Sequence, residues 1–190
     1  MKVLFATSNR HKFSEAETIL NSFGIKISHE CVSPPEIQAD DCAQVAESSA
    51  REIFALLNKP VFVEDSGLFV RALNGLPGPF SSWFDKKIGC QGVLKLLKGA
   101  RDRRAEFVSA VAFMDQRGLR VFQGRVPGRI ALRQRGKAGF GFDPIFIPQG
   151  SSRTFAEDAA LKNRVSHRAK SLEKLAKWLK KRRECKTEKS

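Results

Sequence analysis

Two adjacent carboxylates, Glu64 and Asp65, interrupt an apolar stretch of the sequence. They stand within Val61–Val70, V-F-V-E-D-S-G-L-F-V, between two runs that a sheet would bury. Buried carboxylates are costly unless a cation, a metal ion or an open cleft compensates them. The next residues are Ser66 and Gly67, and a glycine lets a ligand approach the backbone closely. The pattern predicts a buried strand broken by a functional segment or, alternatively, a strand followed by an ordinary polar turn.

A second polar group follows the first predicted strand, Lys2–Ala6, and opens the first predicted helix. Its residues are Thr7, Ser8, Asn9, Arg10, His11 and Lys12. The free N–H groups and the dipole of a helix N-terminus favour an anion, and the lysine adds a full charge. The segment lacks the glycines of a P-loop, and Thr-Ser-Asn is also a good helix cap. A phosphate site and a purely structural cap are therefore both open.

The segment A-G-F-G-F-D-P, residues 138–144, places two aromatic residues between glycines and before an acid. Phe140, Gly141, Phe142 and Asp143 are its candidate functional residues. An aromatic side chain in a glycine-flanked loop suits stacking on a flat base, although either phenylalanine also fits a core.

The segment K-N-R-V-S-H-R, Lys162–Arg168, leads into the last predicted helix. Ser166 is the candidate cap of that helix, which places His167 and Arg168 in its first turn. The helix dipole disfavours cations there. These two side chains therefore need an anionic or polar partner.

The chain is long enough for one domain with a sizeable core, which we assign to residues 1–183, followed by a polar tail over 184–190. Its hydrophobic content of 42% and charged content of 28% are typical of globular proteins. No apolar run is long enough to cross a membrane or to act as a signal peptide, so a cytoplasmic location is expected. The four cysteines follow no metal-binding spacing, and reduced structural thiols are expected.

The net charge of +14 indicates an affinity for anions. Nine basic and three acidic residues lie between Lys170 and Ser190, so the tail carries +6 of that excess, which is most simply a solvated end. A nucleic-acid-binding protein is the alternative from another functional class. That alternative gives no purpose to Glu36, Glu64 and Asp65, and these carboxylates therefore count against it.

The elements predicted along the chain alternate at first and then become antiparallel, which indicates an α/β fold. Beyond the first strand and helix, we expect a strand over Ile25–Ser28 and a helix over Val45–Leu57 capped by Asp40 or Asp41. A rigid irregular loop over Leu73–Phe84 and a short helix over Val93–Leu97 are expected to follow the strand at Val61–Val70.

The antiparallel part is predicted to begin with a long strand over Ala105–Met114 and a hairpin turn at Gln116–Gly118. The return strand, Leu119–Val126, is expected to bend at Pro127 and Gly128 and to continue to Arg133, and a short strand over Ile145–Ile147 is expected after it.

Five motifs in order and spacing resemble the inosine triphosphate pyrophosphatase family. They are T-S-N-R-H-K with Glu15, V-E-D-S-G-L, L-P-G-P-F, G-F-G-F-D-P and K-N-R-V-S-H-R, and the resemblance covers about Val3 to Leu179. It implies a long mixed twisted sheet flanked by helices in two lobes, with the active site in the cleft between them. It also implies Mg²⁺-dependent hydrolysis of ITP, dITP and XTP to the monophosphate and pyrophosphate, usually by a homodimer.

The resemblance also implies a role for each matching residue. Thr7 to Lys12 would hold the triphosphate, and Glu36 and Asp65 would bind the metal ion. Asp65 would also orient or deprotonate the attacking water, and Ser66 would contact the substrate. Phe140 to Asp143 would form the wall of the base pocket, Lys162 would contact phosphate or sugar, and His167 and Arg168 would form hydrogen bonds with the base edge.

One residue departs from the family pattern. Many members carry a phosphate-contacting lysine on the second helix, and Arg51 is expected at that position, with the charge but without the point geometry of lysine. An alternative enzyme of related fold would act on other modified nucleotides, such as pyrimidine nucleotides. Those relatives lack the S-H-R and F-G-F-D motifs present here.

Overall fold

A computed structural model describes residues 2–32 and 37–187 of the protein. Its strands are β1 (Lys2–Ala6), β2 (Lys26–Glu30), β3 (Val61–Val70), β4 (Pro77–Gly78), β5 (Arg104–Asp115), β6 (Gly118–Ile130) and β7 (Phe146–Pro148). Its helices are α1 (Arg10–Ser22), α2 (Cys42–Leu57), α3 (Ser81–Lys87), α4 (Gly89–Leu96), α5 (Ala159–Val165) and α6 (His167–Thr187). No described helix has both the length and the apolar character needed to cross a membrane.

The described strands form one mixed sheet of seven strands in the order β2-β1-β3-β5-β6-β7, with β4 paired to β3. The first three strands of that order are parallel, and the others pair antiparallel. Parallel neighbours need a crossover, which α1 and α2 supply. The predicted mixed α/β sheet flanked by helices is confirmed.

Strand β3 is the central strand of this sheet, and it is not broken. All ten residues pair with β5, from Val61 opposite Met114 to Val70 opposite Ala105. The predicted interruption at the two carboxylates is therefore wrong. Lys12 and Arg168 compensate the Glu64 carboxylate, and the backbone ladder continues through both acidic residues. Gly67 has a different purpose, because a Cβ atom there would lie 2.1 Å from the carbonyl oxygen of Gly78 on β4.

Three apolar clusters form the core. The first joins α1 and α6 to one face of the sheet around Phe5 and Phe62. The second joins α2 to Val61, Val63 and the middle of β5. The third surrounds the far end of β3, where Leu68 meets α4, β7 and the loop that precedes it. Strand β3 thus passes from the first two clusters into the third, and its Glu64–Gly67 segment lies at the transition.

The segment after β3 is more regular than predicted. Leu73–Phe84 contains strand β4 and the start of α3 instead of one irregular loop. The Ser81 hydroxyl explains this order, because it donates to the Gly78 carbonyl at 2.7 Å and accepts from the Leu68 amide at 2.8 Å.

Two elements near the C-terminal part of the chain also differ from the prediction. Helix α5 was not predicted, and strand β7 begins one residue later than expected, after a 3₁₀ turn over Asp143–Ile145.

Strand β6 continues without interruption through Pro127, where a bend was predicted, and ends at Ile130 instead of the predicted Arg133. The Pro127 carbonyl accepts from the Gln149 amide. The nitrogen and carbonyl of one strand residue point to the same side, so the missing N–H of Pro127 faces away from β5. No hydrogen bond of the β5–β6 ladder is lost.

Candidate active site

A cavity of about 670 Å³ lies along an open edge of β3. Strand β1 pairs with β3 only at Val61 and Phe62, and β4 pairs with it only from Leu68 onward. Between these points no described strand covers that edge. Because β1 also ends here, side chains from both faces of the sheet reach the cavity, beyond the carboxyl ends of the parallel strands.

Most of the residues singled out from the sequence line this cavity. They are Thr7, Ser8, Asn9, His11, Lys12, Asp65, Ser66, Phe140, Gly141, Phe142, Asp143, Lys162, His167 and Arg168. They come from four separate segments of the chain. The fold therefore brings together residues whose proximity the sequence alone does not reveal.

Two predicted residues of the described part of the chain are not brought to the cavity. Arg10 and Arg51 are exposed and absent from its lining. Helix α2 presents the buried Ser49 instead of Arg51, because residues two positions apart on a helix point in roughly opposite directions. Glu36 lies outside the described residues.

Glu64 is the centre of a buried network of charges. Its carboxylate lies 3.0 Å from the Lys12 ammonium and 3.1 Å from the Arg168 guanidinium, and it accepts a 2.7 Å hydrogen bond from Ser109. Arg168 also donates to Ser66 at 2.9 Å. One carboxylate therefore holds α1, β5 and α6 against β3.

Glu15 extends the same network towards the aromatic loop. It accepts from Arg168 and from Lys162, each at 2.6 Å. Lys162 also contacts Asp143 at 2.6 Å, and Asp143 accepts from the Phe140 amide at 2.8 Å. Cations and carboxylates thus alternate from one end of the cavity to the other, and each of these buried charges has an opposite charge beside it.

The network sets the protonation states of its members. Burial alone would raise the pKa of Glu64, but Arg168 and Lys12 outweigh it and hold that pKa well below its usual range. Arg168 and Lys162 likewise lower the pKa of Glu15 against the effect of burial. The carboxylates Glu64 and Glu15 raise the pKa of Arg168 although its burial opposes this. These groups are therefore charged at neutral pH.

Asp65 points to the other face of the sheet, because side chains alternate along a strand. It pairs with Ala110 on β5, is 9% exposed and lies beside the buried thiol of Cys42 on α2. Burial, followed by the charge of Asp65, raises the pKa of that thiol. The thiol is therefore neutral, and Asp65 is the carboxylate that faces the cavity from the α2 side.

Phe140 fills space at the aromatic end of the cavity. Its ring stacks on His11 with centroids 5.1 Å apart, and the Lys162 ammonium lies 4.5 Å from the ring centroid. Gly139 and Gly141 flank it at φ of +76° and +60°, values that glycine adopts without strain. The segment is therefore a glycine-bounded aromatic loop, as the sequence predicted.

His167 is buried and neutral. Its ring stacks on Phe107 with centroids 4.6 Å apart, and only 3% of the residue is exposed. Burial, with help from the positive Arg168, lowers its pKa well below the usual value. No described residue lies within hydrogen-bonding distance of its Nδ1. This nitrogen can therefore pair with a polar edge in the cavity, as donor or as acceptor.

The predicted cap of α1 is confirmed. The Asn9 side chain accepts from the amides of His11 and Lys12, at 3.0 and 3.2 Å. Two N–H groups of the first turn are thus occupied by the chain itself. Positive charge for an anion at this end of the cavity must come mainly from the Lys12 ammonium.

Sequence reasoning missed several residues that build the site. Glu15 was noted only as part of a motif, and Ser109, Ser171, Asp85 and Phe107 were not noted. A serine within the apolar strand β5 is the signal that could have revealed Ser109. Asp85 and Phe107 show no such signal, because only the fold places them on the cavity wall.

The cavity is nearly electroneutral, which bears on whether a metal ion fits. Its described lining carries four acidic side chains, Glu64, Asp65, Asp85 and Asp143, and four basic ones, Lys12, Lys86, Lys162 and Arg168. No group of three potential metal ligands occurs among the described residues. Mg²⁺ commonly takes one or two carboxylates together with substrate phosphates and water. Asp65 provides such a carboxylate, so the residues present fit a magnesium ion that arrives with an anionic ligand.

The chain is similar to known proteins over almost its whole length. The chain is 48% identical over 182 residues to the dITP/XTP pyrophosphatase of Methanopyrus kandleri, covering 95% of this chain and 97% of that protein. It is 49% identical to the dITP/XTP pyrophosphatase of Thermococcus kodakarensis, covering 95% and 98%. A solved structure of a HAM1 protein from Coxiella burnetii superposes with a TM-score of 0.82 at 34% identity, covering 95% and 99%. Residues 3–178 match the model of the Ham1 family, and the chain belongs to that family.

Proposed function

We propose that this protein is a nucleoside triphosphate pyrophosphatase that hydrolyses deaminated purine nucleotides. Its substrates are ITP, dITP and XTP, and its products are the nucleoside monophosphate and pyrophosphate. The observation that carries the proposal is the cavity itself, whose lining combines the carboxylate of Asp65, the ammonium of Lys12, the aromatic loop around Phe140 and the buried His167. The relatives named dITP/XTP pyrophosphatases support the same reaction.

The chain's own residues position the triphosphate for attack by water at the α-phosphorus. Lys12 supplies positive charge for the phosphates, and the Lys162 ammonium lies 4.5 Å from the centroid of the Phe140 ring. Asp65 orients the water and accepts its proton. Little covalent chemistry is asked of the protein, so positioning and fixed charge supply most of the rate.

Asp65, with Glu36, would hold Mg²⁺ in this reaction. When bound, the ion neutralises phosphate charge and lowers the pKa of a coordinated water. The near-neutral lining supports this part of the proposal, because a triphosphate would bring several negative charges into a cavity with no excess of positive charge.

The purine C6 position separates deaminated bases from adenine. Hypoxanthine and xanthine carry a carbonyl acceptor there, and adenine carries an amino donor. His167 and Arg168 line the cavity, and neither His167 Nδ1 nor Arg168 Nε has a hydrogen-bond partner among the described residues. The Nε–H of Arg168 can donate to that carbonyl, and His167 Nδ1 can do so in the tautomer that carries its proton there. An adenine would leave the arginine donor unpaired, which costs on the order of 1–3 kcal/mol in a buried site.

One assay tests the whole proposal. Pyrophosphate release is measured from ITP, XTP, GTP and ATP at equal concentration, with and without Mg²⁺. We expect turnover of ITP and XTP, little turnover of ATP, and loss of activity without the ion. Equal turnover of ATP and ITP would contradict the assigned substrate class.

Glu36→Gln tests the proposed metal ligand that lies outside the described residues. The variant loses a negative oxygen but keeps the size of the side chain. We expect half-maximal activation to move to a higher Mg²⁺ concentration, while saturating Mg²⁺ restores much of the rate. A magnesium titration that superposes on the wild-type curve would exclude Glu36 as a ligand.

Truncation after Arg183 tests the polar tail. Helix α6 continues to Thr187, and near its end Arg182 bonds Asp115 at 2.5 Å and lies 4.8 Å from the Trp178 ring centroid. Both are kept in the truncated protein. We therefore expect unchanged pyrophosphate release, and a folded truncation with lost activity would assign the tail a role.

We also propose that the enzyme is a cytoplasmic homodimer. Several large apolar side chains around α3 are exposed, among them Leu76, Phe80, Trp83 and Ile88 at 37–58%. Such a group favours contact with another protein surface. Analytical ultracentrifugation of the wild type and of Trp83→Glu tests this assignment, with a monomeric wild type as the contradicting result.

A further inference from the structure

The excess positive charge of the protein is not located in the catalytic cavity. The chain carries 34 basic and 20 acidic residues, whereas the described lining of the cavity holds four of each. A triphosphate site therefore does not account for the net charge of +14. The surplus lies elsewhere on the surface, and its arrangement indicates what it is for.

Four lysines of α6 form a row on one side of that helix, which we call the basic row. Its members are Lys170, Lys174, Lys177 and Lys181. At 3.6 residues per turn they lie within about 60° of one another, and they span about 16 Å along the helix axis. The last three are exposed, so the row presents its charges to solvent.

The basic row borders a groove of about 560 Å³ between α6 and β6. Gly124 makes this groove by letting the helix lie directly on the strand, since a Cβ atom there would be 2.1 Å from the carbonyl oxygen of His167. Arg125 adds a further cation to the groove, and it is paired with Glu106 at 3.0 Å. Among the described residues of the lining, the only acidic one is Glu173, which pairs with Lys177 at 2.7 Å.

Two lysines of the row are held in place before any ligand arrives. The Lys170 ammonium donates to the Arg125 carbonyl at 2.8 Å, and the Lys174 ammonium donates to the Gln123 carbonyl at 2.7 Å. Each ammonium has three donors, so two remain for a partner. Because these side chains are already ordered, binding an anion costs less conformational entropy than it would for free lysines.

We infer that the basic row and its groove bind the phosphate backbone of a nucleic acid, at a surface separate from the catalytic cavity. The spacing of charges along the row suits a repeating polyanion, because about 16 Å corresponds to the axial rise of roughly five phosphates on one strand. In the part of the chain that the structure describes, no residue lines both the groove and the cavity. A nucleic acid and a nucleotide substrate can therefore be bound together.

An anionic membrane is the less suitable partner for this surface. A helix that binds at a lipid interface inserts apolar side chains beside its cations. Among the described residues, no exposed large apolar side chain belongs to α6 or β6. The apolar side of α6, including Leu172, Leu175 and Leu179, is buried in the core.

A matched pair of triple variants tests the inference. Lys174→Glu, Lys177→Glu and Lys181→Glu together reverse the exposed part of the basic row. Lys26→Glu, Lys95→Glu and Lys98→Glu make the same change of net charge at exposed lysines elsewhere. Fluorescence anisotropy follows the binding of a fluorescein-labelled duplex of about 20 base pairs and of a single strand of the same length. Salt is varied from about 50 to 200 mM, because binding through phosphate contacts weakens steeply over this range.

The wild type is expected to bind with a log–log salt slope of about −3, which corresponds to three or four phosphate contacts on a duplex. The basic-row variant should lose about tenfold or more in affinity at the lowest salt, and the control variant should lose much less. Pyrophosphate release from ITP should stay unchanged in both, since neither set lines the cavity.

Three results would overturn the inference. The first is a wild type that binds neither nucleic acid at about 50 mM salt, where phosphate contacts are strong. Equal losses in both triple variants would show that net charge alone is responsible. Tighter binding to vesicles containing anionic phospholipid than to nucleic acid would assign the basic row to a membrane surface.

Discussion

Asp65→Asn is expected to lower the rate of pyrophosphate release from ITP by roughly 10²–10⁴-fold, the range that a positioned general base contributes. The amide keeps the size of the side chain but can neither accept a proton from water nor bind a metal ion strongly. Nucleotide binding should largely remain, because Lys12 and the aromatic loop are untouched. Single-turnover kinetics and nucleotide titration of the purified variant separate these two effects.

Asp85→Asn is the matched control for this experiment. Asp85 is a second carboxylate on the cavity wall, half-buried, with its pKa raised by burial, and no described cation forms a salt bridge with it. We assign it no step in the reaction and expect its rate to stay within about tenfold of the wild type, well short of the loss expected for a general base. Wild-type turnover in a folded Asp65→Asn protein would remove Asp65 from the mechanism.

Arg168→Ala is expected to produce the largest loss of stability. The guanidinium is 1% exposed and contacts Glu15, Glu64 and Ser66 at 2.6–3.1 Å. Its removal leaves two carboxylates without one of their cations, and breaking a buried ion pair in this way costs about 3–5 kcal/mol. For a chain of this size the midpoint of thermal unfolding should fall by roughly 6–20 °C, measured by calorimetry. Arg164→Ala, on the exposed side of α5, should change it little.

The same variant tests base recognition. If Arg168 donates to the C6 carbonyl, its loss should reduce the preference for ITP over ATP by about ten- to a hundredfold, the value of one hydrogen bond from a charged donor. Lys162→Ala breaks the same network but is expected to slow all triphosphates alike. Comparison of kcat/KM for both nucleotides in both variants removes the shared effect of instability. An equal loss on ITP and ATP in Arg168→Ala would place Arg168 among the structural residues.

The pH dependence of stability follows from Glu64. Its pKa is lower in the folded protein than in the unfolded chain, so its contribution to stability is fully present above the unfolded value. That contribution is lost as the pH falls below the ordinary pKa of a glutamate towards the folded one. In Glu64→Gln this acid-dependent part of the stability should disappear, which unfolding midpoints measured from pH 7 downward would reveal.

The fold could be predicted where a local pattern is decisive. Lys2–Ala6, the helix capped by Asn9 and the strand at Val61–Val70 all follow from short-range apolar periodicity and capping. The break expected in β3 was wrong because its compensating groups, Lys12 and Arg168, are distant in sequence. A local reading detects the cost of the buried carboxylates but not the partners that offset it.

The candidate site shows the same division between local and distant information. Motif residues such as Phe140 and Lys162 could be assigned to a common site, because a resemblance relates separate segments to one another. The direction of a side chain on a helix was harder to predict. Arg51 and Ser49 differ by two positions, and only the packing of α2 on the sheet decides that Ser49 faces the cavity.

The alternation of side chains along β3 limits how this protein can change during evolution. Glu64 faces the α6 side and Asp65 faces the α2 side, and the two are adjacent in the chain. A deletion or insertion of one residue upstream in β3 would exchange the two faces, so that each carboxylate would meet the other's surroundings. Substitutions can adjust either role separately. A change in the length of this strand alters both roles at once, so the spacing of β3 is constrained more tightly than the identity of its apolar residues.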